Sequence, residues 1–199
     1  MSPTLIDMPS PYLGMQATTR HFGCLRRKLA VERVNFTADQ SRFKDQAAYD
    51  SHQASEPVQN LFKYFGENPS LISGEPHLSF AEASSTFTRP KITEHSDPFI
   101  VWAAINYKEG KRVEALEGWK TVTSETEKNE PETLSYSILA DKGNELTINT
   151  VEIYASEDYF RKVHVPSNAV KVNKEKYGDE IRTGISWQQL KLVGGFLHK

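Results

Sequence analysis

The chain has 199 residues, 38% of them hydrophobic and 25% charged, with a net charge of -2, the composition of a folded protein with room for one large domain or two small ones. So balanced a charge provides no general attraction to nucleic acid or to an anionic membrane, and neither is an expected partner. A single cysteine, Cys24, excludes an internal disulfide framework and a cysteine-based zinc site.

No apolar run approaches the roughly 18 residues of a membrane span, and the N-terminus lacks the apolar core of a secretory signal. Met8 to Val31 holds Arg20, Arg26, Arg27 and Lys28 without an acid, a faint likeness to a mitochondrial transit segment. The expected location is cytoplasmic.

Residues 1–41 read as a tail or irregular leader. Pro3, Pro9 and Pro11 break Met1 to Gly14, and Leu25 to Phe36 mixes apolar and basic residues in a way that allows a strand. Residues 42–89 read as a partial copy of the end of the chain. With a one-residue gap, Phe43 meets Tyr154, His52 meets His164, Ser55 meets Ser167 and Val58 meets Val170. Phe87-Thr88-Arg89 then falls where Phe196-Leu197-His198 closes the second copy. Ahead of Phe43 this copy lacks the pattern of a full strand, helix and strand. Residues 90–98 form a short polar linker.

Residues 99–199 carry a complete pattern. Phe99 to Tyr107 is an apolar run of strand length, broken by Lys108-Glu109-Gly110. From Lys111 the apolar positions Val113, Leu116, Trp119 and Val122 recur at threes and fours, which predicts a helix with one buried face. Strands follow at Thr133 to Ala140 and Leu146 to Tyr154, around the turn residues Asp141-Lys142-Gly143-Asn144. A second helix starts near Ser156 and resumes after Pro166 as far as Tyr177. The last strand is Ser186 to Val193. The order is that of an α+β, ferredoxin-like split βαβ unit. Such a sheet carries both helices on one face, so a second sheet or a second chain is expected over the other.

The run EPETLSYSILAD, followed by VEIYASEDYFRKVHVPSNAV, resembles the antibiotic-biosynthesis monooxygenase (ABM) family of dimeric α/β barrels. The matching residues are Glu130, Pro131, Thr133, Tyr136, Glu152, Tyr154, His164 and Ser167, over about the last hundred residues. The resemblance implies a homodimer and a monooxygenase that uses no cofactor. Its substrate would be a small aromatic, polyketide-like molecule that reacts with molecular oxygen.

His164 is the first candidate residue, since an imidazole can take a proton from a phenol or hold an oxyanion; equally, it can pack against Tyr154 and orient the loop at Pro166. Glu152 and Tyr154 share strand parity with Ile148 and Thr150, so Glu152 is either a base or an interface charge. Trp102 and Asn106 lie on one face of the first strand. If that face meets the helices, a flat substrate fits between Trp102, Trp119 and Tyr136, with Asn106 and Tyr136 as donors; the other reading is a filled core. Parity leaves the face open.

No GxGxxG or Walker-type loop and no serine nucleophile elbow is present, and the six histidines lack metal-ligand spacing. Neither a metal nor a cofactor is expected. Lys171 stands where haem-degrading relatives carry a histidine, so haem breakdown is not expected. The alternatives to an oxygenase are a non-catalytic binding or assembly module of the same fold, and an oxygen-independent isomerase, cyclase or decarboxylase.

Overall fold

The computed structural model describes residues 12–18, 37–69 and 77–192. The chain forms two compact units, Met1–Phe80 and Ala81–Lys199.

In the first unit β1 (Tyr12–Thr18) and β2 (Thr37–Phe43) pair antiparallel in unbroken register, from Tyr12 opposite Phe43 to Thr18 opposite Thr37. The expected N-terminal tail therefore ends sooner than Gly14, because pairing with β2 satisfies the backbone from Tyr12 onward. The strand anticipated within Leu25 to Phe36 lies outside the described residues. Asp45 caps α1 (Gln46–Gln53) by accepting from the Ala48 N–H at 2.9 Å, and Ser55 stands at the N-cap of α2 (Glu56–Glu67) with a proline in its first turn. Phe43 packs edge-on to Tyr49, which packs edge-on to Phe80.

The strand β3 (His77–Thr88) runs across the unit boundary. From Ala81 on it belongs to an antiparallel sheet with β4 (Phe99–Tyr107), β5 (Thr133–Asp141), β6 (Thr147–Tyr154) and β7 (Arg182–Leu190), in the spatial order β3-β5-β6-β4-β7. One face is covered by α3 (Arg112–Asn129), by α4 (Glu157–Tyr159) with the turn Phe160–His164, and by α5 (Asn168–Tyr177). This is the ferredoxin-like α+β arrangement, with β3 added at the edge of β5. The 90–98 segment is more ordered than a polar linker: Pro90–Glu94 forms a 3-10 turn that buries Ile92 against Ile100, Leu134 and Ile153.

The main core lies between sheet and helices, where Val101, Ile105, Tyr107, Tyr136 and Ile138 meet Trp119 and Val122. Gly110 turns β4 into α3 with a φ of 72°, a region that glycine enters without steric cost. Of the stripe expected on α3, Trp119 and Val122 are buried and Leu116 packs against the core, but Val113 is 70% exposed and Ala115, Gly118 and Thr126 complete the inward face. Small residues let α5 approach α3 closely, which a search for large apolar side chains overlooks. β7 begins at Arg182, four residues before the expected Ser186, since its first residues extend the ladder with the end of β4. Val193 lies outside the described residues. No helix among those residues is long and apolar enough to cross a membrane.

Candidate active site

A buried polar cluster sits where the end of α3, the helix-facing sides of β5 and β6 and the turn before α5 converge. Glu130 is the C-cap residue of α3, the negative end of the helix dipole and an unfavourable place for a carboxylate. It is nonetheless only 4% exposed, as is His164. The two side chains meet with His164 Nδ1 2.8 Å from Glu130 Oε2. Thr133 Oγ1 donates to the same carboxylate at 3.1 Å and Thr126 Oγ1 donates to Oε1 at 3.4 Å. Burial by itself pushes the Glu130 carboxyl up. The hydrogen bond and charge of His164 and the two threonine hydroxyls together outweigh it and hold Glu130 below its ordinary value.

The turn carrying His164 is a π turn: the Val165 N–H donates to the Phe160 carbonyl at 2.9 Å, five residues back. It sets the imidazole among aromatic rings. Ring centroids of Tyr136, Tyr154 and Phe160 lie 5.3, 5.1 and 6.1 Å from that of His164. Tyr136 stands directly across from Glu152 in the β5–β6 ladder, and Tyr154 donates to Glu152 Oε2 at 2.7 Å. The Tyr136 hydroxyl is buried, which raises the phenol, and lies close enough to the Glu152 carboxylate for its charge and hydrogen bonding to raise it further, although the two do not meet at ordinary hydrogen-bond geometry. Burial first, then the charge of Glu152, raises the phenols of Tyr136 and Tyr154 well above 10.0, so both remain neutral donors. On the far side of the cluster, Trp119 Nε1 donates to the Tyr107 hydroxyl at 2.8 Å.

Trp119, Tyr136, Glu152, Tyr154 and His164 thus share the helix-covered side of the sheet. Trp102 and Asn106 do not. On β4, Val101, Ile105 and Tyr107 belong to the core cluster with Trp119, so the alternate positions 102 and 106 face the opposite way. Asn106 is exposed, with its Oδ1 accepting from Thr147 Oγ1 at 2.7 Å. The expected slot between Trp102, Trp119 and Tyr136, with Asn106 as donor, does not form, because Trp102 and Asn106 lie on the face away from the helices; Phe99 to Tyr107 is apolar on both faces, so its pattern does not say which one the helices cover.

Glu130 was visible in sequence only as part of a motif. The physical signal for a role was its position: an acid ending an amphipathic helix needs a compensating donor or cation. Glu130 also borders a cleft of about 520 Å³ between α3 and α5, lined by Gly118, Thr121 and Glu125 on one side and Ala169, Val172 and Asn173 on the other. A volume of this order suits a small organic molecule. Among the described residues no three His, Cys, Asp or Glu side chains are placed to hold a metal ion.

The sequence matches no family model and no curated protein. The structure is similar to solved structures. A candidate monooxygenase from Fusobacterium nucleatum subsp. nucleatum superposes with a TM-score of 0.75 at 16% identity, covering 94% of each chain. One from Lactobacillus acidophilus gives 0.66 at 14% identity, covering 91% of this chain and 76% of the other. An anthrone oxidase-like protein gives 0.56 at 12%, covering 95% and 80%. At these identities the likeness is one of fold, and it extends over nearly the whole chain.

Proposed function

We propose, with the fold shared with these candidate monooxygenases as the premise, that the chain catalyses cofactor-independent oxygenation of a small, ionisable aromatic molecule. One observation carries the reading: His164, an imidazole able to take a proton, lies beside Tyr136, a neutral buried hydroxyl that meets Glu152 only outside ordinary hydrogen-bond geometry, in an aromatic setting. The substrate enters by the α3–α5 cleft, whose lining includes Glu130. His164 removes the proton of a phenol or enol, and Tyr136 donates to the resulting oxyanion. The electron-rich anion gives one electron to O₂, and the substrate radical and superoxide combine to form a carbon–oxygen bond. The imidazolium returns its proton to the peroxide, which loses water to leave a carbonyl. For an anthrone the balance is one O₂ consumed, one ketone and one water formed. A second copy of the chain is the proposed partner of the protein as a whole.

The test is oxygen uptake by the purified, metal-free chain given a panel of anthrones and hydroquinones, with His164→Ala beside it. The expected result is uptake that falls by about 10²–10⁴-fold in the variant, the usual contribution of a general base. Equal uptake by both proteins overturns the assignment.

The second reading is a non-catalytic binding module. A specific observation favours it: Tyr136, Tyr154 and Phe160 crowd His164, and the cleft reaches its partner Glu130 rather than the imidazole itself. Saturable binding of the aromatic panel without oxygen consumption would select it.

A further inference from the structure

The first unit contains a segment built on the same plan as the one that carries His164. Phe43 ends β2 as Tyr154 ends β6. Two residues on, Asp45 and Ser156 cap the next helices, accepting from the N–H of Ala48 at 2.9 Å and of Tyr159 at 3.2 Å. Further along, the Ser55 N–H donates to the His52 carbonyl at 3.0 Å, and the Ser167 N–H to the His164 carbonyl at 2.9 Å. The ring pairs correspond too: Phe43 to His52 and Tyr154 to His164 are each 5.1 Å between centroids.

The two segments differ by one residue, and the structure locates it. Cap and histidine are residues 45 and 52 in one segment and 156 and 164 in the other. The first helix ends with an ordinary four-residue bond, Ala54 N–H to the Asp50 carbonyl at 2.9 Å, where the second closes the five-residue π turn. One residue added to a regular helix would rotate every later side chain by about 100° about the axis; the wide turn takes up the extra residue, so His164 keeps on Tyr154 the 5.1 Å ring contact that His52 makes with Phe43. The surroundings differ, since His52 is exposed and His164 is 4% exposed against Glu130.

We infer that the inserted residue of the π turn and the carboxylate of Glu130 form one positioning device: the turn seats His164 on the Tyr154 ring with Nδ1 at Glu130, and Glu130 holds the proton on Nδ1 so that Nε2 is the basic atom. The catalytic consequence rests on the reading of His164 as the base; the tautomer and the register do not. Glu130 is suited to the task because its other contacts, from Thr126 and Thr133, fix the carboxylate before the imidazole arrives. Arg89 fixes the backbone beneath, donating to the carbonyls of Glu127, Glu130 and Thr133. A hydrogen bond on one ring nitrogen is what decides which nitrogen carries the proton.

The experiment is two-bond ¹H–¹⁵N correlation on the full chain labelled at histidine, at a pH where the imidazole is neutral, with His164→Gln to assign the signal. In the unaltered protein His164 is expected to carry its proton on Nδ1. Glu130→Gln should lose that fixed tautomer, and deletion of Val163, which restores ordinary helical spacing, should lose it as well with unchanged far-UV circular dichroism. Oxygen uptake should fall by at least about a hundredfold in Glu130→Gln, as it does when an imidazole is left in the wrong tautomer. A proton on Nε2 in the unaltered protein, or a tautomer indifferent to Glu130→Gln, overturns the inference. Should no variant and no unaltered protein consume oxygen, the oxygenase reading falls, and the tautomer result still decides this one.

Discussion

Tyr136 is where stability and activity can be separated at a single atom. Its hydroxyl is buried beside the Glu152 carboxylate without meeting it at ordinary hydrogen-bond geometry, and a buried donor left poorly met costs up to about 1–3 kcal/mol. Tyr136→Phe removes that cost along with the hydroxyl, and the ring keeps its stacked contact with Phe87, 6.5 Å between centroids. The expected outcome is equal or slightly higher stability in chemical denaturation together with slower oxygen uptake. A variant less stable than the parent would mean that the hydroxyl is satisfied in solution and is not held ready for a ligand. Glu130 behaves in the opposite sense. Its folded carboxyl titrates below its ordinary 4.5, so its contribution is present above that value and is lost as the pH falls through the lowered one.

Helix packing turns on Gly118. A Cβ there would overlap the ring of Tyr177 and stand 2.5 Å from Asn173 Oδ1, so α3 and α5 approach as closely as they do because the position has no side chain. Gly118→Ala is expected to destabilise the chain by about 1–3 kcal/mol, the usual cost of overpacking, in spite of alanine's better helix propensity. Denaturant titration would show it, and Tyr177→Ala in the same chain should recover part of the loss. Such contacts mark the limit of what the sequence displays. The strands of the C-terminal unit were legible because Phe99 to Tyr107 is an apolar run and Thr147 to Tyr154 is rich in β-branched residues, each bounded by turn residues. The inward face of α3 was legible at Leu116, Trp119 and Val122 and not at Ala115, Gly118 and Thr126, which carry too little apolar weight to register in a period. For the site, the strand parity of Glu152 and Tyr154 was readable. The side chosen by Trp102, the π turn and the pairing of Glu130 with His164 depend on tertiary packing that no local pattern encodes.

At the scale of the whole molecule the two edges of the C-terminal sheet are unlike. Among the described residues β7 pairs only with β4, and it exposes Ile185 at 54% and Trp187 at 47%. An edge strand that shows large apolar groups invites another strand, which is the ground for the proposed second copy. The chain is expected to sediment as a dimer, and Ile185→Lys with Trp187→Lys as a monomer; a monomeric parent would remove the proposal.

The other edge is closed from within. β3 lies along β5, with Thr86 bonded to Ser137 at 2.8 Å and Thr88 to Ser135 at 2.9 Å, and Arg89 comes next at its end. The natural place to divide this chain is therefore not the polar stretch before Phe99, however plainly the sequence changes there. A piece cut at that point would carry every element of the split βαβ pattern, yet it would bare the hydrogen-bonding groups of β5 and take the guanidinium from three carbonyls around the α3–β5 turn. The C-terminal unit begins within β3, at Ala81, so any gene-level dissection or domain graft that means to keep Glu130 and His164 together has to take that part of the strand with them.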